Sequence, residues 1–202
     1  GLTDANSARV VTLPPALFAS VSPVQQPSGI VAIAAPRRRD PADVLAGDRP
    51  LVLLLDAVQD PGNVGAIVRV AEGCGASGVI AGPGTADPFG WKALRGAMGS
   101  TFRLPVAAAA SLTDALRSVR AAGLRVVATV PRGGTPLRQT DLVQPAAILL
   151  GGEGAGIPAD VIGEADEQVT IPMRPPVESL NVAIAAALVL YEARRQRDDV
   201  AV

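Results

Sequence analysis

Histidine is absent from this 202-residue chain, and cysteine occurs once, as Cys74. The lack of His excludes Ser-His-Asp and Cys-His catalysis, and it also excludes His-based metal sites. One thiol can form neither an intramolecular disulfide nor a multi-Cys zinc site. We therefore expect no metal, and a lone Cys fits a reducing cytoplasm, which is the predicted location.

Aromatic residues are also scarce, at 2% of the chain, which disfavours an RNA-binding sheet on which bases stack. The net charge of −1 gives no overall basic character of the kind that many nucleic-acid binders show. All of the 18 basic residues except Lys92 are Arg. Arg is well suited to clamp phosphate or ribose, but the same bias can reflect a GC-rich genome.

A long apolar run is missing as well, because the longest, 182–191, is too short to span a bilayer. No signal peptide is visible, so we expect no membrane partner. Since 49% of the residues are hydrophobic, the chain can still bury a core. It begins at Gly1 without a Met, and we expect the N-terminus of the natural protein to lie upstream.

Three regions differ in pattern along the chain. Residues 1–36 contain short β-like runs at 8–13 and 29–34 between Pro-rich breaks, as expected for the C-terminal fragment of a domain. Residues 37–49 are charged and bounded by proline, which predicts a linker. Residues 50–202 form the main domain.

Apolar strands alternate with helical stretches throughout that main domain. The predicted strands are 51–55, 78–81, 104–107, 125–130, 146–150 and 168–171, and the predicted helices are 64–74, 88–98, 111–122 and 179–197. Ser111 and Ser179 are the predicted N-caps of two of these helices. Fully apolar strands between helices predict an α/β fold with a mostly parallel sheet covered on both faces.

Ligands bind beyond the carboxyl ends of the strands in such a sheet, and three loops there are polar or glycine-rich, namely 56–65, 151–158 and 171–181. Residues 154–159 match a loose dinucleotide fingerprint, which leaves a nucleotide-dependent oxidoreductase as one alternative. The match lies late in the domain and does not directly follow its strand, which argues against that alternative. Four glycines beside Glu153 favour close backbone approach to a ligand.

Two features near these loops have competing interpretations. Arg69 lies among apolar neighbours and could extend to solvent or pair with Glu72 instead of serving a site. The last helix is apolar nearly all round, so a sheet on one side and a partner subunit on the other would cover it. Its terminal Arg194, Arg195 and Arg197 are best interpreted as a solvated helix end.

The three loops together resemble the three motifs of the SpoU/TrmH family of the SPOUT superfamily. The matching segments are 60–65 with Arg69 (N-x-G-x-x-x-R from Asn63), 148–157, and 171–173 followed by 179–183. Residues 27–32 also resemble the end of the substrate-recognition domain in longer members, such as the thiostrepton-resistance-type rRNA methyltransferases. The resemblance covers residues 50–202, and residues 1–36 would then be a fragment of an RNA-recognition domain.

This resemblance implies a homodimer with a C-terminal trefoil knot. It also implies transfer of a methyl group from S-adenosylmethionine to a ribose 2′-hydroxyl of RNA, with rRNA favoured over tRNA. A tRNA 2′-O-methyltransferase and a catalytically silent RNA-binding member of the same fold remain alternatives. The implied cofactor-binding residues are Gly151, Ile171, Leu180, Thr129, Gly152 and Met173, and the implied catalytic residues are Arg69, Asn63, Glu153, Ser179 and Asn181.

The proton that leaves the ribose hydroxyl needs an acceptor, and no His is present. The candidates are Glu153, a deprotonated Arg69, or an RNA phosphate that Arg69 orients. Because an Arg side chain normally stays protonated, its free base is costly, and we leave the protonation role of Arg69 open. In a dimer, Arg69 is expected to serve a pocket whose cofactor loops belong to the other subunit.

Overall fold

The structure is a computed structural model that describes residues 9–154 and 156–200, and it divides the chain into two units between Pro36 and Arg37. In the first unit, helix α1 spans Pro15–Val21. No strand occurs over residues 9–36, so the β-runs expected at 8–13 and 29–34 are wrong there, while Ala8 lies outside the described residues. A short apolar run without a partner strand cannot form a sheet.

The segment 37–49 belongs to the second unit and is not a linker, which corrects the sequence prediction. It contains helix α2, Pro41–Leu45, whose N-cap Asp40 accepts a hydrogen bond from the Ala42 amide at 2.9 Å. Val44 and Leu45 are buried in the core of this unit. The segment folds onto the second unit because α2 packs these two apolar side chains against the sheet.

A seven-stranded sheet forms the centre of the second unit. Its strands are β1 Leu51–Asp56, β2 Gly78–Ala81, β3 Val106–Ala108, β4 Arg125–Thr129, β5 Thr135–Pro136, β6 Ala146–Gly151 and β7 Glu167–Thr170. They lie in the order β3-β2-β1-β6-β4-β7-β5, and each described pairing is parallel. The predicted α/β class is therefore confirmed. Residues 51–55 of β1 and 146–150 of β6 are all apolar, as expected for central strands that are buried on both faces.

Helices cover both faces of the sheet, and alternate residues of β1 face opposite layers. Leu51, Leu53 and Leu55 pack in one core with the helices at Pro61–Gly73 and Val182–Val200, whereas Val52 and Leu54 pack in the other with α2 and the helix at Leu112–Ala121. The remaining helices are α3 Pro61–Gly73, α4 Trp91–Ala97, α5 Leu112–Ala121, α6 Ala159–Gly163 and α7 Val182–Val200, with short 3₁₀ helices at Ser100–Phe102 and Leu137–Gln139. None of the helices in the described ranges is long and apolar enough to cross a membrane.

One of the two predicted helix caps is confirmed and the other is wrong. Ser111 caps α5, because its hydroxyl accepts from the Asp114 amide at 3.2 Å. Ser179 does not cap the last helix, which begins at Val182. The side chain of Asn181 takes that role and accepts from the amides of Ala183 and Ile184 at 2.9 and 3.3 Å. Asn181 sets the start, because its side chain satisfies two of the first helical amides, which lack partners within the helix.

The strand order brings distant loops to one edge of the sheet. Asp56 at the end of β1 lies opposite Gly151 at the end of β6, and Thr129 at the end of β4 lies opposite Val169 of β7. Because the strands are parallel, the loops that follow them leave from the same edge. Strands β2 and β3 extend the sheet on one side of β1, whereas β4 lies on its other side. Open α/β sheets bind ligands at such a point, where the strand order reverses.

Candidate active site

A cleft of about 570 Å³ lies beyond the carboxyl ends of β4, β6 and β7. This volume is within the usual range for small-molecule sites. The six predicted cofactor-binding residues all line it, namely Thr129, Gly151, Gly152, Ile171, Met173 and Leu180. Two of the predicted catalytic residues, Glu153 and Ser179, line it as well.

The glycine-rich wall of the cleft has no room for a side chain at Gly151 or Gly152. A Cβ on Gly151 would lie 2.6 Å from the backbone nitrogen of Ile157, and one on Gly152 would overlap the carbonyl oxygen of Ala57. Ala57 itself has a φ of 53°, in the left-handed region that non-glycine residues rarely adopt. The loops after β1 and β6 are thus in direct backbone contact. This close approach places Glu153 beside the start of α3.

Three polar side chains form a hydrogen-bonded cluster at that position. The Asn63 amide nitrogen donates to Oε1 of Glu153 at 2.7 Å. The Asn181 amide nitrogen donates to the same Oε1 at 3.2 Å and to Oδ1 of Asn63 at 3.1 Å. Oε2 of Glu153 accepts no hydrogen bond from any described residue. Because Glu153 also lines the cleft, this carboxylate connects the polar cluster to the cofactor-sized space.

Helix starts hold both asparagines in place. Asp60 is the N-cap of α3, and its Oδ1 accepts from the Asn63 amide at 2.8 Å. Asn181 caps α7 through Oδ1, which leaves its amide group directed at Glu153. Asp60 was not among the predicted site residues, although Asp followed by Pro61 is a recognisable helix start.

Arg69 does not join this cluster in the single chain. It is exposed, and six residues of helix turn it about 120° around the α3 axis from Asn63. It makes no hydrogen bond or ion pair within residues 9–154 and 156–200. The alternative partner, Glu72, instead receives two hydrogen bonds from Arg103, one of them at 2.7 Å. These bonds from Arg103, and one from Ser100, hold the pKa of Glu72 below its usual value.

Several cleft residues were not predicted because they are apolar or contribute backbone, including Val130, Pro131, Ile162, Val182 and Ala185. Nothing in a single sequence distinguishes such side chains from ordinary core residues. Over the described part of the chain, no group of three His, Cys, Asp or Glu side chains could hold a metal ion.

Comparison with known proteins gives a consistent result. The family model for the SpoU rRNA Methylase family matches residues 50–191. The 23S rRNA (guanosine(2553)-2′-O)-methyltransferase RlmP of Bacillus subtilis is 38% identical over 177 residues, which are 88% of this chain and 69% of that protein. The 23S rRNA (guanosine-2′-O-)-methyltransferase RlmB of a Burkholderia species is 39% identical over 155 residues, covering 77% of this chain and 62% of that one.

Solved structures show the same similarity. The SpoU methyltransferase AviRb of Streptomyces viridochromogenes, in complex with AdoMet, matches with a TM-score of 0.82 and 32% identity, over 93% of this chain and 73% of that one. An AdoMet-bound rRNA methyltransferase of Sinorhizobium meliloti matches with a TM-score of 0.74 and 41% identity, over 79% of this chain and 61% of that one. This chain therefore spans less than the full length of these relatives. The expected family is confirmed: the chain belongs to the SpoU rRNA methylase family.

Proposed function

We propose that the chain is an S-adenosylmethionine-dependent RNA (ribose-2′-O) methyltransferase that acts on rRNA. The observation that carries this proposal is the placement of Glu153, which lines the cleft and also accepts hydrogen bonds from Asn63 and Asn181. Two relatives named as 23S rRNA 2′-O-methyltransferases support the activity and favour rRNA over tRNA. The single Cys supports a cytoplasmic location.

The cleft residues fit S-adenosylmethionine. Apolar side chains such as Ile157, Ile171 and Leu180 offer a surface for an adenine ring, and the glycine-rich wall exposes backbone groups for hydrogen bonding. The carboxylate of Glu153 complements a positively charged sulfonium. When bound, S-adenosylmethionine supplies an electrophilic methyl group.

The chain's own residues then have to position a ribose hydroxyl and remove its proton, and positioning can supply much of the rate. Asn63 and Asn181 bind Oε1 of Glu153 and so fix the direction of Oε2. Oε2 is one candidate acceptor for the proton. A second is an RNA phosphate held by Arg69 as a cation, and a third is Arg69 itself as a free base, which is costly because an Arg side chain normally stays protonated.

A homodimer gives Arg69 access to a cleft. On α7, Ile184, Leu188 and Tyr191 follow a helical i, i+4, i+7 spacing and are 53%, 42% and 67% exposed. This apolar stripe, which we call the α7 stripe, fits a second copy of the chain. Because Arg69 points away from its own Asn63, it would act on the cleft of the partner subunit. We also propose the family's C-terminal trefoil knot, and an RNA-recognition role for residues 1–36.

The first test replaces Arg69 with alanine and Glu153 with glutamine. We expect Arg69→Ala to bind S-adenosylmethionine about as well as the wild type by calorimetry, and Glu153→Gln to bind it more weakly because the carboxylate that complements the sulfonium is lost. Both variants should lose labelled-methyl transfer to rRNA by at least about 100-fold. Arg117→Ala, an exposed arginine on α5, is the control and should retain activity. Full turnover by Arg69→Ala would contradict its assignment.

The substrate needs a separate experiment. Mapping 2′-O-methyl positions in total RNA from cells with and without the full-length gene should show a position in rRNA that loses its methyl group. A lost position in tRNA would instead support the tRNA alternative. If purified protein binds S-adenosylmethionine but no RNA position changes, the silent RNA-binding alternative gains support.

A further inference from the structure

Helix α4 and the 3₁₀ helix after it present an unusual surface, which we call the α4 face. It consists of Trp91, Lys92, Arg95, Met98 and Phe102. Trp91, Arg95 and Met98 follow i, i+4, i+7 spacing on the side of α4 opposite the buried Ala93 and Ala97. Trp91 is 45% exposed, Met98 66% and Phe102 72%.

Exposure of these rings is notable in a chain with only five aromatic residues. An exposed aromatic ring offers surface on which a base can stack, and stacking tolerates any base. The ammonium nitrogen of Lys92 lies 5.7 Å from the centre of the Trp91 ring, so a cation and a stacking platform are already adjacent.

The charges of this surface are positive. Lys92 and Arg95 have no carboxylate partner in the described ranges. Two carboxylates on neighbouring segments of the chain have other cationic partners: Glu72 binds Arg103, and Asp87 lies 3.9 Å from Arg38. The α4 face is thus locally basic in a chain whose net charge is −1.

The position of the face relates it to the candidate site. Helix α4 packs closely on the first turns of α3, where a Cβ on Gly96 would lie 3.2 Å from the Gly62 carbonyl oxygen. Arg69 lies on the exposed side of the same helix α3, one turn after Gly65, which also contacts α4. A ligand on the α4 face would therefore lie about one helix diameter, roughly 10 Å, from helix α3, which carries the arginine that we propose acts on the ribose.

From these observations we infer that the α4 face binds a single-stranded RNA segment that flanks the methylated nucleotide. The bases stack on Trp91 and Phe102, and Lys92 and Arg95 contact the phosphates. This inference rests on the proposed function for its choice of RNA. A second copy of the chain is the poorer occupant, because a two-fold contact uses the same patch on both subunits and would bring like charges together. The α7 stripe carries no cation and suits that role better.

The test measures binding of a fluorescein-labelled 20-nucleotide oligouridylate to the full chain by fluorescence anisotropy, over a range of salt concentrations. Lys92→Ala combined with Arg95→Ala should weaken binding about tenfold. It should also make the negative slope of log K against log salt shallower by about 1.4. Trp91→Ala should weaken binding about tenfold with little change in that slope. A 20-base-pair RNA duplex should show no effect of Trp91→Ala, since its bases are already stacked.

Arg117→Ala combined with Arg120→Ala is the matched control, because it removes two cations from α5 on the opposite face of the sheet. Equal loss in this control, or unchanged binding in the α4-face variants, would overturn the inference. So would loss of dimer in those variants by sedimentation velocity, which would identify the face as a contact between subunits. If the wild type binds no oligouridylate the inference also fails, and calorimetry with S-adenosylmethionine then tests the proposed function separately.

Discussion

Asn181 has two structural tasks in a single side chain. Its Oδ1 accepts hydrogen bonds from the first amides of α7, and its Nδ2 donates to Glu153 and Asn63. The first task concerns helix stability, because the initial amides of a helix lack partners within the helix. The second concerns the direction of a carboxylate in the cleft. Substitutions can separate the two tasks.

Asn181→Asp should retain the cap and lose the donor, because aspartate caps helices as well as asparagine does but cannot donate. We expect it to unfold in urea near the wild-type midpoint. Its rate of methyl transfer should fall by about tenfold or more. Asn181→Ala should lose methyl transfer and also about 1 kcal/mol of unfolding free energy. Wild-type turnover by Asn181→Asp would show that donation to Glu153 is unimportant.

Glu192 on α7 provides a prediction about pH. Hydrogen bonds from Arg195 and then Gln196 lower the pKa of its carboxyl from 4.5 to about 2. Because the folded-state pKa is depressed, this carboxylate stabilises the fold above pH 4.5, and the contribution disappears as the pH falls from 4.5 towards 2.

Glu192→Gln should therefore be less stable than the wild type by about 1 kcal/mol at pH 7, after allowance for solvent screening of the partly exposed pair. The difference should shrink steadily below pH 4.5, as measured by urea unfolding at a series of pH values. Asp198→Asn, which breaks an exposed pair with Arg194, is the control and should change stability by less than about 0.5 kcal/mol. A difference that stays constant down to pH 2.5 would contradict this account.

At the scale of elements, the contact between α3 and α4 requires glycine. A Cβ on Gly65 would lie 2.9 Å from the Ala97 nitrogen and would overlap the Ala93 carbonyl oxygen. Since both neighbours are backbone atoms, no side chain can rotate away to make room. The close approach also keeps α4, and with it the α4 face, next to the helix that carries Arg69.

Gly65→Ala should separate the two helices and lower the free energy of unfolding by about 2–3 kcal/mol. Gly73→Ala in the same helix is the matched control, because its added Cβ would meet nothing within 4 Å. That control should be neutral or stabilising by up to about 1 kcal/mol, since alanine favours helix more than glycine does. Equal stability of the two variants in urea would show that the helices can move apart freely.

The end of α7 also differs from its sequence interpretation as a solvated helix end. Arg197 donates hydrogen bonds to the backbone carbonyls of Leu142, Arg49 and Gln144. Burial lowers the pKa of this guanidinium. Arg194 donates to the Gly73 carbonyl, which connects α7 to the end of α3. Only the neighbouring elements determine whether such an arginine lies in solvent or anchors a helix.

At the scale of the whole molecule, the proposed dimer predicts complementation between two inactive variants. A heterodimer of Arg69→Ala and Glu153→Gln, isolated with two different affinity tags, would contain one site with Glu153 from one subunit and Arg69 from the other. We expect such a heterodimer to recover about half of the wild-type methyl transfer, because one of its two sites is intact. If Arg69 acts within its own subunit, neither site is intact.

The two homodimers of these variants are the controls and should remain inactive. Sedimentation at micromolar concentration should show a dimer for the wild type, for the two variant homodimers and for the heterodimer. A monomeric wild type would contradict the dimer and the role of the α7 stripe together. An inactive heterodimer that is folded and dimeric would place Arg69 in the cleft of its own subunit.

The sequence by itself determined the α/β class, the six longer strands and the three loops that carry the site. These follow from local signals, since apolar runs, helical spacing and a cap such as Ser111 depend on neighbours along the chain. The loop motifs and their order also indicated the family. The same local signals failed for β5, with two residues, and for α2, whose burial depends on the sheet beneath it.

Only the tertiary structure decided which side chains meet. Asn63 contacts Glu153, which is 90 residues away in sequence, and Asn181, which is 118 residues away. Both contacts depend on the strand order that places β1 beside β6. It also decided that Arg69 faces away from this cluster, because its direction is set by the side of α3 that packs on the sheet. Local periodicity carries no information about strand order or helix rotation, which arise from packing between elements distant in sequence.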